Sequence, residues 1–253
     1  MPPSRLPLSA VLITRNAARQ LPDCLASLAF CDDIVVVDSG SDDATVTLAR
    51  QVGARVIETD WRGFGPQKQY AVEQATHDWV LCIDADERVT PALHEAIRAA
   101  LAAPPHHAFR FARCNRFMGR YLRHGEGYPD WNLRLFDRRQ ARWSDDAVHE
   151  KVLTDTAVGT LAGDLLHESA ESIESYLAKQ NRYSTLAAEA ALNRGKHIQV
   201  GHLLLSPLVR FIKFYFLRLG CLDGVPGLVH ILIGCGASFA KYAKMLAMQR
   251  APK

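Results

Sequence analysis

Four short apolar runs, each followed by a stretch with helical periodicity, organise the first hundred residues. Ser9–Thr14, Ile34–Asp38, Ala54–Glu58 and Trp79–Asp84 are short, and the second is especially rich in β-branched residues. This is the texture of parallel strands buried on both faces. Between them, residues 17–29 set Leu21, Cys24, Leu25 and Leu28 at helical spacing. Ser41-Asp42-Asp43 offers an N-cap for a helix through Val52. Pro66 suits the first turn of a helix through Thr76, and Pro91 to Leu101 supplies another. This alternation predicts an α/β fold, an open and mostly parallel sheet with helices on both faces.

The pattern changes after Pro104-Pro105. Residues 107–114 and 131–136 read as strands around a Gly- and Arg-rich loop, Gly119 to Gly127, and a long helix runs from Ser172 to Asn193. Residues 1–170 are expected to form the ligand-binding domain, and 171–253 a helical C-terminal region. The charge is split at nearly the same point. Residues 1–175 carry 19 basic and 25 acidic side chains, whereas residues 176–253 carry 11 basic ones against only Glu189 and Asp223. The overall charge of +3 gives no support to nucleic-acid binding. An acidic body with a basic, apolar tail points instead to an anionic partner surface.

Between Leu203 and Leu219, Ser206, Arg210 and Lys213 make a narrow polar stripe on an apolar helix, and Val225 to Ala240 is apolar but holds His230 and several small residues. Neither stretch matches a spanning helix of roughly 20 uninterrupted apolar residues. A basic amphipathic helix lying on a membrane is expected, with a helical hairpin packed on the domain or on a second subunit as the alternative. Six cysteines without Cys-x-x-Cys spacing read as reduced core residues. The N-terminus reads as a strand, not a signal segment, so a cytoplasmic location is expected.

The chemistry concentrates at strand ends. Asp84-Ala85-Asp86-Glu87 follows the fourth strand, and ligands of open α/β sheets sit outside the carboxyl ends of the strands. Carboxylates one residue apart can hold Mg²⁺ or Mn²⁺, which in turn holds a diphosphate, although solvated loop carboxylates would look the same. Asp38 closes the second strand at the same edge, able to accept a hydrogen bond from a nucleobase imide or a ribose hydroxyl. No Gly-rich phosphate loop opens the fold, so phosphates would meet metal and side chains, with Lys68 a candidate.

Ala10–Asn16, Val36–Asp42, Gly63–Lys68 and Ile83–Glu87 together resemble a family 2 glycosyltransferase of the GT-A fold. Asp130–Phe136, Val148-His-Glu150-Lys and Gly163–His167 resemble the branch that adds glucose to the inner-core heptose of bacterial lipopolysaccharide. The resemblance implies a UDP-sugar donor, Mg²⁺ or Mn²⁺, and inversion at the anomeric carbon by single displacement. Asp38 would contact uracil or ribose, with Thr14, Arg15 and Asn16 bordering that pocket. Asp84 would sit near the ribose and metal, and Asp86 would bind the metal with His167 as a further ligand. Glu150 would be the base, with Asp146 and Asp145 as rivals, because family members often present a Glu-Asp pair where this chain has His-Glu. Arg182 would meet the donor diphosphate. The acceptor would be the lipopolysaccharide core, reached from the inner (cytoplasmic) membrane surface through the C-terminal tail, and an oligomer is possible. A polyprenyl-phosphate acceptor, a silent membrane scaffold and a haloacid-dehalogenase-type phosphotransferase are the competing readings.

Overall fold

The computed structural model describes residues 5–146, 150–169 and 172–250. Its elements, in order, are β1 (Leu8–Thr14), α1 (Leu21–Ser27), β2 (Asp33–Asp38), α2 (Thr45–Gln51), β3 (Arg55–Glu58), α3 (Phe64–Glu73), β4 (Trp79–Cys82), β5 (Glu87–Val89) and α4 (Pro91–Ala102). There follow β6 (Ala108–Phe117), β7 (Arg120–Tyr121), β8 (Asp130–Asp137), β9 (Ala141–Trp143), β10 (Val152–Thr154) and β11 (Val158–His167), and then α5 (Ile173–Asn193), α6 (Gly201–Phe211) and α7 (Gly224–Arg250).

The main sheet runs β3-β2-β1-β4-β8-β6-β11-β5. The four expected strands make a parallel half, in which β1 lies between β2 and β4. The other half begins with β8 antiparallel to β4 and β6 antiparallel to β8, and ends with β5 antiparallel to β11. Alternate residues of the parallel strands enter two different cores. Leu8, Ala10 and Leu12 of β1 pack in the cluster that holds residues of α1, α2 and α4. Val11, Val35, Val37 and Val80 pack in the cluster that holds Ala71 and Val72 of α3, together with Trp143. Period-two burial on both faces explains why the strands read as unbroken apolar runs.

The chain divides into two compact units, Met1–Cys114 with Asp130–Glu168, and Asn115–Pro129 with Ser169–Lys253. The sequence places one cut at residue 170, whereas the excursion 115–129 also belongs to the second unit. Asp223 explains why. It is buried, it accepts the backbone N–H groups of Arg123 and His124 at 3.0 and 2.8 Å, and it faces His124 Nδ1 at 3.1 Å. Arg210 Nε donates to Glu126 Oε2 at 3.0 Å, tying the same loop to α6. Tyr176 of α5 shares a 3.0 Å hydrogen bond with His230 of α7, and burial pushes the His230 imidazole below its usual pKa.

The C-terminal helices differ from the expectation in two ways. Two of the three stripe residues turn inward, Ser206 bonding Ser238 and Arg210 meeting Glu126, while Lys213 is exposed. The outward face is apolar, with Leu204, Leu205, Leu208, Val209 and Ile212 all exposed. After Pro207 the chain widens into a π-helical turn at Ile212–Leu217, a rearrangement of the hydrogen-bond ladder. The second difference is length. Gly220–Arg250 forms one helical stretch, long and apolar enough to cross a membrane by length and composition. Gly227, Gly234 and Ser238, which read as interruptions in the sequence, are buried inside that helix. At Gly227 and Gly234 the absent Cβ makes room for Gly220 and for Glu126 with Arg210, respectively.

None of the six cysteines is in a disulfide; Cys24, Cys82, Cys114 and Cys235 are buried, Cys31 is half-buried and Cys221 is exposed. Burial raises the Cys82 thiol to about 11 and that of Cys31 to about 12.

Candidate active site

The sheet topology sets the site. Because β2, β1 and β4 are parallel, Asp38, Thr14–Asn16 and Ile83–Asp86 arrive at one edge, and the β5/β11 pair places His167 opposite Glu87. A cavity of about 630 Å³ opens there. Thr14, Arg15, Asn16, Lys68, Asp84, Asp86, Glu150 and His167 line it, so eight of the residues singled out from the sequence meet in one place.

Asp38 is not on that wall. It is fully buried, and its carboxylate is surrounded by short-range donors. Gly40 N and Ser41 N donate to Oδ1, while Thr14 Oγ1 and Ser41 Oγ donate to Oδ2 at 2.8 and 2.6 Å. In turn, Ser41 Oγ accepts the Asn16 N–H, and Asn16 Oδ1 accepts the Asp42 N–H. Asn16 sits at φ +52°, a conformation asparagine tolerates better than most residues. Asp38 therefore shapes the turn that presents Thr14–Asn16 to the cavity.

Asp84 is held by charge. Its Oδ2 accepts from Arg134 Nη2 at 2.7 Å, and Lys68 Nζ lies 3.2 Å from its Oδ1. Burial alone would raise the Asp84 carboxyl, but Arg134 and Lys68 hold it well below the usual carboxylate range. Lys68 also donates to Glu150 Oε1 at 3.0 Å, so one ammonium joins two carboxylates contributed by separate loops. Behind them Arg134 Nη2 lies 3.4 Å from Glu87 Oε1, and burial pushes the Glu87 carboxyl up. Trp143 lies beneath both cations, with Lys68 Nζ 4.8 Å and Arg134 Cζ 5.5 Å from its ring centre.

Glu150 reaches the cavity from the connection between β9 and β10, whose base is closed by Ser144 N donating to Lys151 O at 2.8 Å. Gly65 of α3 fixes the start of that connection. A methyl group on its Cα would collide with the carbonyl oxygens of Ser144 and Asp146. Asp145 and Asp146 are exposed, and neither lines the cavity.

The expected metal set of Asp84, Asp86 and His167 is not gathered into one cluster among the described residues. Asp84 is engaged by its two cations. Asp86 Oδ2 and His167 Nε2 face each other at 3.1 Å on the cavity wall. A carboxylate and an imidazole so placed are donors of the kind that Mg²⁺ or Mn²⁺ takes. Arg182 belongs to α5 of the second unit, where it borders a separate hollow with Lys179 and Tyr183.

Three features escape a reading by motif. Trp61 and Phe64, packed edge to face at 4.9 Å, are exposed side chains of the cavity wall. Arg134 is the buried cation under Asp84, and Glu87 is its second anion. A signal for Arg134 does exist: a lone charge between Leu133 and Leu135 in a strand-like run implies a buried partner.

An open α/β sheet with its cavity outside the strand ends, continued by antiparallel strands, has the architecture of GT-A glycosyltransferases. The chain belongs to glycosyl transferase family 2, which it matches over residues 9–157. It is 34% identical over 249 residues to the lipopolysaccharide core biosynthesis glycosyltransferase LpsC of Rhizobium meliloti (strain 1021), a match covering 95% of this chain and 92% of LpsC. It is 30% identical to an uncharacterized glycosyltransferase of Rickettsia felis, covering 94% and 89% of the two chains. Residues 1–349 of S. aureus TarS, solved in complex with UDP, share the fold. That comparison has a TM-score of 0.51 and 14% identity, and covers 97% of this chain and 92% of the other.

Proposed function

We propose that this chain transfers a hexose, glucose from UDP-glucose, to the inner-core heptose of lipopolysaccharide, with inversion at the anomeric carbon. The observation that carries this reading is the Asp84–Lys68–Glu150 arrangement on the cavity wall. A cavity of about 630 Å³ is of the size that encloses a nucleotide sugar. Trp61 and Phe64 offer apolar faces for a base, and Arg15 and Lys68 offer positive charge for a diphosphate. Glu150 takes the proton of the acceptor hydroxyl as its oxygen bonds the anomeric carbon. The bond from that carbon to the diphosphate breaks on the opposite side, and UDP departs with the electron pair. Asp86 and His167 would hold a divalent cation, which would neutralise charge on the departing diphosphate. The LpsC relationship supports a lipopolysaccharide-core acceptor.

The second unit supports work at the inner, cytoplasmic membrane surface. Its exposed Leu204, Leu205, Leu208 and Val209 would enter the lipid, with exposed Lys213 and Arg218 beside anionic headgroups. Inward-turned Arg210 and Lys244, which bonds Asn181, Ser184 and Thr185, take no part in this contact.

The test is nucleotide release from UDP-glucose, UDP-galactose, UDP-N-acetylglucosamine and GDP-mannose, with heptose-containing lipopolysaccharide as acceptor and Mg²⁺, Mn²⁺ or EDTA present. Turnover with UDP-glucose that needs metal is the expected result. Separately, Mn²⁺ paramagnetic broadening of bound UDP should vanish in Asp86→Ala. Turnover that survives EDTA would remove the metal, and a polyprenyl-linked product would replace the acceptor.

A further inference from the structure

A second hollow, of about 440 Å³, shares Lys68, Asp84 and Glu150 with the first. These three side chains form a common wall. Most of the remaining lining is cationic or aromatic, namely Arg113, Arg134, Lys151, Trp131 and Trp143, with Asn132, Leu133 and Val152 completing it. Four cations therefore face two carboxylates around this space.

Not all of that charge is consumed by the fold. Arg113 is committed to Asp130 at 2.9 Å and to Glu87 at 3.4 Å. Arg134 places Nη2 on Asp84 and Glu87, but its Nη1 is buried without a hydrogen-bond partner. A buried guanidinium N–H left unpaired is unfavourable, and an anionic ligand would relieve it. Lys151 is exposed and makes no ion pair among the described residues. Trp131 is 46% exposed, and the Arg110 guanidinium lies 5.2 Å from its ring centre. A half-exposed indole beside unspent positive charge is suited to a sugar ring that carries an anion.

We propose that the second hollow receives the acceptor, and that the acceptor is a sugar bearing a phosphate or carboxylate group, held by Lys151 and Arg134 with its ring against Trp131. The proposal rests on the glycosyl-transfer reading of the first hollow. It gives Glu150 its place, since a base must touch the acceptor hydroxyl while the donor carbon lies beyond it, and Glu150 lines both spaces. Selection for charge arises here from the lining of the second hollow alone, independent of any attraction exerted by the tail.

The full chain is first titrated with UDP and then, with UDP saturating so that the first hollow is filled, with glucose 6-phosphate, glucuronate and glucose. Binding is followed by tryptophan fluorescence and saturation-transfer NMR. At least one charged sugar should bind about ten-fold more tightly than glucose. Lys151→Glu should weaken the charged sugar at least about ten-fold and glucose less than about two-fold, while Trp131→Ala weakens all three and neither substitution changes UDP affinity. Preference for glucose 6-phosphate would identify phosphate as the recognised group, and preference for glucuronate would identify carboxylate. UDP binding combined with equal affinity for all three sugars, or a charged sugar indifferent to Lys151→Glu, overturns the acceptor assignment alone. Failure of UDP itself to bind overturns the donor reading and the acceptor assignment with it.

Discussion

Strands β2 and β4 both deliver carboxylates to the same edge of the sheet, and the fold treats them in opposite ways. Asp38 is enclosed by neutral donors, two backbone N–H groups and two hydroxyls, and lines neither hollow. Asp84 is met by two cations, one of which is shared with Glu150, and it opens onto both hollows. Neutral dipoles suffice to stabilise a carboxylate that accepts four hydrogen bonds across a turn. Full cations suit one that must keep its charge when ligands displace water. Acidic strand ends are therefore not equivalent, and the identity of the donors tells them apart.

The largest expected effect tests the β4 side. Glu150→Gln should reduce the rate of sugar transfer by about 10²–10⁴-fold, as loss of a general base does, while thermal stability and UDP affinity hold. A variant that turns over normally would pass the role of base to another residue. Asp38→Ala should behave in reverse. It leaves four donors without their acceptor, and we expect a loss of about 3 kcal/mol in urea unfolding. If Asp38→Ala instead folds with unchanged stability and loses only UDP binding, the contrast between the two strand ends collapses.

A smaller change sharpens the comparison by moving the partner loop. Gly65→Ala forces Ser144 and Asp146 away from α3, and Glu150 with them. Displacement of a reacting group by about 1 Å can cost about 10²-fold, so kcat should fall about 10- to 100-fold with little change in UDP affinity. The smallest effect lies at the opposite end of β2. Burial opposes ionisation of Asp33, but Arg55, Thr76 N–H and Ser9 hold its carboxyl below the usual range. A carboxyl depressed in the folded state stabilises the protein above its unfolded pKa, and that contribution is lost as pH falls through the carboxylate range toward the folded value. Asp33→Asn should therefore lower stability at neutral pH and flatten the acid limb below about pH 4, measured by unfolding from pH 2 to 7.

What the sequence makes legible follows from range. The parallel strands and their helices are local patterns, so β1 to β4 and α1 to α4 are readable, as are the strand-end residues Asp84 and Asp86. Asp38 is expected from the sequence to contact the donor, and the structure shows it buried behind the cavity wall. Its hydroxyl partner Ser41 lies three residues away, but Thr14 lies 24 away, and the closure of the turn depends on both. Arg134 reaches Asp84 only because β8 inserts antiparallel beside β4, a pairing across some fifty residues that no local period encodes. The C-terminal helices fail differently. The polar stripe is visible, but the inward turn of Ser206 and Arg210 depends on Ser238 and Glu126, which lie far along the chain.

The distribution of thiols has a practical consequence. Cys24, Cys31 and Cys82 have raised pKa values through burial, so at neutral pH they hold little of the thiolate that attacks maleimides. Cys114 and Cys235 are buried, and Cys221 alone is exposed, at the start of the helical stretch Gly220–Arg250 with exposed Leu222 and Val225 close by in sequence. The unmodified protein thus carries a single attachment point for a fluorophore, set among the apolar side chains that would report entry into a bilayer by a shift in emission colour.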